Sequence, residues 1–339
     1  MTTLQVVWFI LLGGMLAVYA ILDGFDLGVG FWSMFTRKDE DKRVLLNSIG
    51  PVWDGNEVWL VTAGVIMFAA FPPVYAAVFS GMYLALMLLL VALVARAVSI
   101  EFRSQLESRV WRAGWDWAFG LGSTVAILLF GVALGNMLHG FPLNESGDYT
   151  GGFFDLLNPY SLLIGVLAVT MLAMHGALWI ALKAEGPLFE SAMRWAARAW
   201  LGYTSLWVIT GIVTAAFYPN LLSNYVASPA LFVLPVLAVA AICGVWFTVR
   251  KEKLKSAFLL SSGSIALNMA LVGASLFPNL VYSRGAPENS LTIHGASASE
   301  YALTVILVLT LIGMPIVLGY TWFVYRSFRG KVSSSKLVY

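Results

Sequence analysis

Long apolar segments separated by short polar links run through almost the whole chain. Nine such segments cover 4–33, 49–71, 75–98, 114–138, 159–182, 197–217, 229–249, 256–277 and 301–325. A continuous apolar run of about 20 residues is long enough to cross a ~30 Å hydrocarbon layer as an α-helix. The runs are uniformly apolar and do not alternate, which favours helices over the strands of a barrel. The pattern therefore predicts an all-α polytopic membrane protein with nine transmembrane helices.

The overall composition agrees with a membrane location. Hydrophobic residues make up 60% of the 339 residues and charged residues only 11%, whereas soluble domains carry about 25% charged residues. No run of basic residues is present, so nucleic acid is not a predicted partner. Cys243 is the single cysteine, which excludes an intrachain disulfide and argues against a cysteine-held metal.

The basic residues predict the orientation of the chain. Of the 20 lysine and arginine residues, only Arg284 falls in an even-numbered link; all the others lie in the odd-numbered links or the C-terminal tail. Because cytoplasmic links carry the excess of basic residues, the odd-numbered links are expected on the cytoplasmic side. The N-terminus is then outside and the C-terminus cytoplasmic.

Four carboxyl side chains are predicted near the cytoplasmic ends of the first two spans. Asp23 and Asp26 lie in "LDGFDLGVGFW", and Asp54 and Glu57 lie in "GPVWDGNEVWL". Each pair is spaced i, i+3 and so shares one helix face. Spans joined by a short link pack side by side. We therefore expect all four acids to face one polar pocket.

The acids are compatible with more than one interpretation. An ionised carboxylate inside a membrane costs at least about 2.5 kcal/mol and commonly marks a proton relay. The acids could instead pair with Arg96 and Arg103, which are predicted at the same depth. A proton-coupled secondary transporter is a different kind of protein with intramembrane acids, although the paired broken helices of many transporters are not evident. A purely structural subunit is the third alternative.

Two further features predict packing and not chemistry. Gly24 and Gly28 have the GxxxG spacing that indicates close helix contact. His175 is the only histidine deep in a predicted span, whereas a haem with two histidine ligands needs a second one at similar depth. We expect His175 to be a hydrogen-bonded packing residue and this chain alone to hold no redox centre.

Six stretches occur along the chain in the order "LDGFDLGVGFW", "NSIGPVWDGNEVWLVTAG", "FPPVYAAVFSGMYLA", "EFRSQLESRVWRAGWDW", "GNMLHGFPLN" and "YTGGFFDLLNPY". In this order they resemble subunit II of cytochrome bd-type quinol oxidases. The resemblance covers essentially the whole chain, and it is densest between about residues 20 and 160.

The resemblance implies a heterodimer in the bacterial inner membrane that oxidises quinol and reduces dioxygen to water. Subunit I holds haem b, haem d and the quinol site, whereas subunit II is haem-free. Some members of the family bind a structural quinone in subunit II, and small accessory subunits are further candidate partners. The implied architecture is one membrane domain with a first four-helix bundle (1–138), a second (159–277) and a peripheral ninth helix (301–325).

The resemblance also implies roles for individual residues. Asp54, in the "WDGN" motif, lies at the subunit interface on a cytoplasmic proton path, and Asp23 and Asp26 lie near it. Trp59 borders a dioxygen route in some relatives. Glu57 stands where some relatives have Gln. The glutamate either adds a second titratable group to the proton path or serves only as a salt-bridge partner. The link between spans six and seven is shorter than in many relatives, so contacts made there are expected to be missing.

Overall fold

A computed structural model describes residues 2–332. Met1 and residues 333–339, which include the Lys336 counted in the charge pattern, lie outside the described residues. The α-helices are α1 Thr3–Ser33, α2 Asp39–Ile49, α3 Trp53–Ala70, α4 Pro72–Gly81, α5 Tyr83–Phe102, α6 Arg109–His139, α7 Pro159–Lys183, α8 Gly186–Phe217, α9 Ser223–Ala227, α10 Val233–Arg250, α11 Leu254–Leu276 and α12 Glu300–Ser327. Two short strands, β1 Asn279–Val281 and β2 Leu291–Thr292, pair antiparallel in the last link.

Within residues 2–332, eight helices are long and apolar enough to cross a membrane. They are α1, α5, α6, α7, α8, α10, α11 and α12, with α5 and α10 each extended by a flanking 3₁₀ turn. The predicted all-helical membrane fold is thus confirmed, and the protein is a multi-pass membrane protein. Helix α3 is not among the eight because Asp54, Asn56 and Glu57 make its beginning polar.

Several helix boundaries differ from the predicted spans. The span predicted at 75–98 is two helices, since α4 ends at Gly81 and Met82 leaves the helical backbone conformation before α5. Helix α2, in the first link, was not predicted, because it is amphipathic and not continuously apolar. Its acidic first turn, Asp39–Asp41, suits the positive end of the helix dipole. Helices α6 and α8 begin well before the apolar runs that they contain.

Helices α1 and α7 form the centre of the molecule and touch backbone to backbone. A Cβ atom built on Gly28 would lie 2.8 Å from Cα of Gly176, and one on Gly24 would lie 2.9 Å from the side chain of Leu172. Such distances leave no room for a side chain. The close contact predicted from the Gly24–Gly28 spacing is therefore confirmed. Around this pair, α1 also contacts α3, α6 and α11, while α7 contacts α6, α8 and α11.

A salt-bridge network ties α2 to the ends of α5 and α6. Arg103 donates from Nη2 to Asp39 (2.6 Å) and from Nε to Asp116 (2.5 Å), and Lys42 donates to Asp116 at 2.8 Å. Partial burial acts to raise the pKa of Asp39, but the hydrogen bond and charge of Arg103 and the charge of Arg112 outweigh it, so the pKa is lowered from 3.8. This network holds α2, and with it the α1–α3 link, against the end of α5 and the first turns of α6.

Candidate functional site

The buried acids meet around a single arginine. Asp23 on α1 and Arg96 on α5 are both 0% exposed, and Glu57 on α3 keeps 26% of its side chain exposed. Arg96 donates from Nη2 to Oδ1 of Asp23 at 2.7 Å and from Nη1 to Oε1 of Glu57 at 2.5 Å. One guanidinium thus bridges an acid of α1 and an acid of α3.

Asp26 belongs to the same site but has a different partner. The side-chain nitrogen of Asn56 donates to Oδ2 of Asp26 at 2.7 Å and to the carbonyl oxygen of Leu22 at 3.2 Å. The hydroxyl of Tyr325, near the end of α12, donates to Oδ1 of Asn56 at 2.9 Å. These contacts join α1, α3 and α12 through polar side chains.

The site contains more acids than cations. Among the described residues, Arg96 is the only basic side chain that pairs with Asp23 or Glu57, and Asp26 has no basic partner. Three ionised carboxylates beside one guanidinium would leave uncompensated negative charge where burial makes charge costly. This excess of acids makes the carboxyl groups of the cluster candidates for proton exchange.

Asp54 does not join this cluster. It is exposed at the start of α3. Exposed apolar residues follow it at i+4, i+7 and i+11, counted from Asp54, so they lie on the same face of the helix. This apolar stripe consists of Val58, Val61 and Val65, which are 51%, 65% and 60% exposed. Asp54 therefore lies at one end of an outward-facing apolar surface.

Trp59 lies on another face of α3 and is only 5% exposed. It lines a groove of about 180 Å³ between α1, α3 and α12, together with Met15, Ile66, Met314 and other mostly apolar residues. The groove can hold a small apolar molecule and offers few hydrogen-bonding groups.

His175 on α7 is hydrogen-bonded through both ring nitrogens. Nε2 lies 3.1 Å from the carbonyl oxygen of Ile21 and must donate to it. In the neutral ring Nδ1 is then the acceptor of the hydrogen bond from the hydroxyl of Ser261 at 2.9 Å. The predicted packing role of His175 is confirmed, and such a ring does not fit an axial haem ligand, which needs a free nitrogen. Among residues 2–332, no group of three His, Cys, Asp or Glu side chains is placed to hold a metal ion.

Part of the predicted site is thus assembled and part is not. Asp23, Asp26 and Glu57 come together, and Arg96 pairs with two of them as the salt-bridge interpretation expected. Arg103 pairs with other acids. Sequence reasoning assigned no role to Asn56 and missed Tyr325, which is 269 positions away along the chain. No local pattern signals a contact across that separation.

Comparison with known proteins identifies the family. The family described as cytochrome bd terminal oxidase subunit II matches residues 4–328. The chain belongs to this family. It is therefore a subunit of an oxidoreductase complex, a terminal oxidase of a respiratory chain, and the transporter alternative is set aside.

Individual members of the bd oxidase family agree with this assignment. Cytochrome bd-I ubiquinol oxidase subunit 2 of Escherichia coli K12 is 36% identical over 366 residues, covering 98% of this chain and 96% of the relative. Cytochrome bd ubiquinol oxidase subunit 2 of Bacillus subtilis is 32% identical, covering 98% of both chains. The fold matches a chain of the bd oxidase structure from Geobacillus thermodenitrificans with a TM-score of 0.81 at 20% identity, covering 96% and 99% of the two chains.

Proposed function

We propose that this chain is the haem-free subunit II of a heterodimeric quinol oxidase of the bacterial inner membrane. The partner, subunit I, holds haem b and haem d, oxidises quinol and reduces dioxygen to water. The present chain supplies a scaffold and part of the path that brings cytoplasmic protons to the partner. The names of the E. coli and B. subtilis relatives support the quinol oxidase activity, and the hydrogen bonds of His175 support the haem-free state.

The proposed topology has nine spans, in which α3 crosses the membrane in addition to the eight long apolar helices. Its 18 residues correspond to about 27 Å at 1.5 Å per residue, close to the ~30 Å hydrocarbon thickness. The spans form one four-helix bundle within 1–138, a second within 159–277, and a peripheral helix at 301–325. The basic links support an outside N-terminus and a cytoplasmic C-terminus.

The observation that carries the proton-path proposal is the position of Asp54. A carboxylate at the head of an exposed apolar stripe would be costly if lipid covered it. A protein partner with a polar group opposite Asp54 removes this cost while burying Val58, Val61 and Val65. We therefore place subunit I against this face of α3, with Asp54 at the interface near the cytoplasmic side.

The order of the acids along α3 suggests how a proton moves on. Glu57 follows Asp54 by three residues, so the two side chains lie on neighbouring turns of one helix face. Arg96 donates to both Glu57 and Asp23 and so holds the two carboxyl groups close to one another. The guanidinium itself stays protonated and does not pass the proton on. In the proposed path a proton enters at Asp54 and is shared with Glu57 and with the buried acids Asp23 and Asp26.

Replacing Asp54 with asparagine tests the path. Because the amide cannot be ionised, the Asp54→Asn complex is expected to lose at least tenfold in quinol-dependent oxygen consumption, in line with the ~10²–10⁴-fold effects of removing proton-transfer groups. The matched control is Glu190→Gln, since the side chain of Glu190 is 70% exposed on α8. Full turnover by an assembled Asp54→Asn complex would refute the relay, and failure to assemble with subunit I would favour a structural role.

We also propose that the groove beside Trp59 is part of a route for dioxygen. Dioxygen is small and apolar, and the groove of about 180 Å³ is lined mostly by apolar side chains. Ile66→Trp, which fills the groove, is expected to raise the KM for dioxygen. An unchanged KM for dioxygen in that variant would place the route elsewhere.

A further inference from the structure

The side-chain amide of Asn56 is held in one orientation by its neighbours. The carbonyl oxygen of Leu22, 3.2 Å from the side chain of Asn56, can only accept a hydrogen bond, so it must face the NH₂ group. The second hydrogen of this NH₂ group goes to Asp26 at 2.7 Å. The amide oxygen then faces Tyr325, whose hydroxyl must be the donor in the 2.9 Å contact.

Asn56 is also the hydrogen-bond partner of the carboxyl group of Asp26. Asp26 is 0% exposed, and its Oδ1 atom has no hydrogen-bond partner among the described residues. Within that part of the chain, the bond from Asn56 to Oδ2 is the only hydrogen bond to this carboxyl group. Asp23 on the same helix, Arg96 on α5 and Glu57 on α3 also act on Asp26 through their charges. The direction in which the amide points contributes the hydrogen-bonded part of the stabilisation of the ionised form of Asp26.

Tyr325 reaches the site from a helix that is otherwise largely exposed. Leu303 is the one buried residue of α12, and among the described elements the main contacts of this helix are with α1 and α3. The ring of Tyr325 packs edge-on against Phe25 and Trp179, with centroids 6.4 and 6.2 Å apart. Phenylalanine could keep these ring contacts, so the specific contribution of tyrosine is its hydroxyl and the bond to Asn56.

We infer that Tyr325 is a positioning residue for proton transfer, acting through Asn56 on Asp26. Its hydroxyl donates a hydrogen bond to the amide oxygen of Asn56. This bond keeps the NH₂ group of Asn56 directed at the carboxylate of Asp26. The peripheral ninth helix thereby contributes one polar group to the acid cluster of α1, α3 and α5. This inference rests on the proposed proton path, because it requires Asp26 to exchange protons during turnover.

The test uses Tyr325→Phe in the assembled oxidase, with Tyr320→Phe as the matched control. Tyr320 lies on the same helix and is 64% exposed. Loss of one buried hydrogen bond corresponds to roughly a two- to tenfold change, so Tyr325→Phe is expected to lower maximal turnover by that factor. The KM for quinol should stay unchanged. The pH profile of turnover should move towards higher pH, because the ionised form of Asp26 loses stabilisation.

A second variant tests whether Tyr325 acts through Asn56. If it does, adding Tyr325→Phe to Asn56→Ala causes no further loss of turnover and no further shift of the pH profile. Independent, multiplicative losses would overturn the inference. A wild-type pH profile in Tyr325→Phe would also overturn the inference. If Asn56→Ala does not assemble with subunit I, the pH profile of Tyr325→Phe alone is the test.

Asp26→Asn separates failure of this inference from failure of the proposed function. If Asp26→Asn keeps full turnover, Asp26 is not on the path and the role of Tyr325 is wrong, whereas the relay at Asp54 is decided separately by Asp54→Asn. If Asp26→Asn lowers turnover while Tyr325→Phe behaves like Tyr320→Phe, the path stands and the role of Tyr325 alone is wrong.

Discussion

Replacing Arg96 with methionine removes the cation that two of the acids share. Methionine has a similar length and fills much of the same volume, so the main change is the loss of charge and of donors. Asp23 would then be 0% exposed with no basic partner among the described residues. Glu57 would lose the same partner but could turn its 26% exposed side chain further towards solvent or towards subunit I.

Two independent arguments give the size of the effect. Removing one partner of a buried ion pair costs about 3–5 kcal/mol, because the other charge stays buried without compensation. Alternatively, Asp23 could take up a proton. Protonating a carboxyl group of ordinary pKa at pH 7 costs about 4 kcal/mol at 1.36 kcal/mol per pH unit. Both routes predict a loss of roughly 4 kcal/mol in the free energy of unfolding of Arg96→Met.

The assay is reversible unfolding of the purified complex in mixed dodecylmaltoside–SDS micelles. The matched control is Arg194→Met on α8. Arg194 pairs with Glu190 at 3.8 Å, and the two side chains are 59% and 70% exposed, so its removal should cost under about 0.5 kcal/mol. The double variant Asp23→Asn, Arg96→Met should recover much of the lost stability, since its Asp23 position is no longer charged.

The dependence on pH gives a further check. The stability difference between wild type and Arg96→Met should shrink as pH falls, because protonating the unpaired Asp23 becomes less costly. Unfolding of Arg96→Met at the same SDS fraction as the wild type would refute the buried pair. A large difference that does not change with pH would show that packing, and not charge, is the cause.

Two further predictions concern the helix contacts. Gly176→Ala is expected to destabilise the protein by at least about 1–3 kcal/mol, because backbone at Gly28 blocks the added methyl group. Gly263→Ala on α11, where nothing lies within 4 Å of the built Cβ, should be neutral or stabilising in the same unfolding assay. Asp39→Asn should lower the melting temperature at pH 7, because it removes one of the two ionic partners of Arg103. Since the pKa of Asp39 is lowered from 3.8, the stabilisation from the Asp39–Arg103 pair is complete above pH 3.8 and is lost only as pH falls below that value. If the melting temperatures of wild type and Asp39→Asn became equal by pH 5, the stabilising role of this ion pair would be contradicted.

The predicted site was partly recovered from sequence for a definite reason. An acid inside an apolar run stands out, so Asp23, Asp26, Asp54 and Glu57 could all be selected. Their spacing along each helix also showed which acids share a face. Spacing could not show which face of α3 turns inwards, and the structure buries Asn56 while leaving Asp54 exposed.

The sequence alone determined the class of this protein. In lipid, backbone groups have to be hydrogen-bonded within the segment, so an apolar run of sufficient length becomes a helix whatever its neighbours are. The spans, their links and the basic residues beside them are local features, and they could be predicted without knowing the packing. Helix α3 follows this rule in its apolar part, whereas its polar beginning is stabilised by contacts of Asn56 and Glu57 with other helices.

Only the tertiary structure decided which side chains meet. Gly28 touches Gly176, Arg96 bridges Asp23 and Glu57, and the partner of Asn56 on α12 is Tyr325. Each contact joins helices that are distant along the chain, and its geometry depends on how those helices cross and rotate against each other. Periodicity within one helix contains no information about either quantity, because both are set by the combined packing of all the helices.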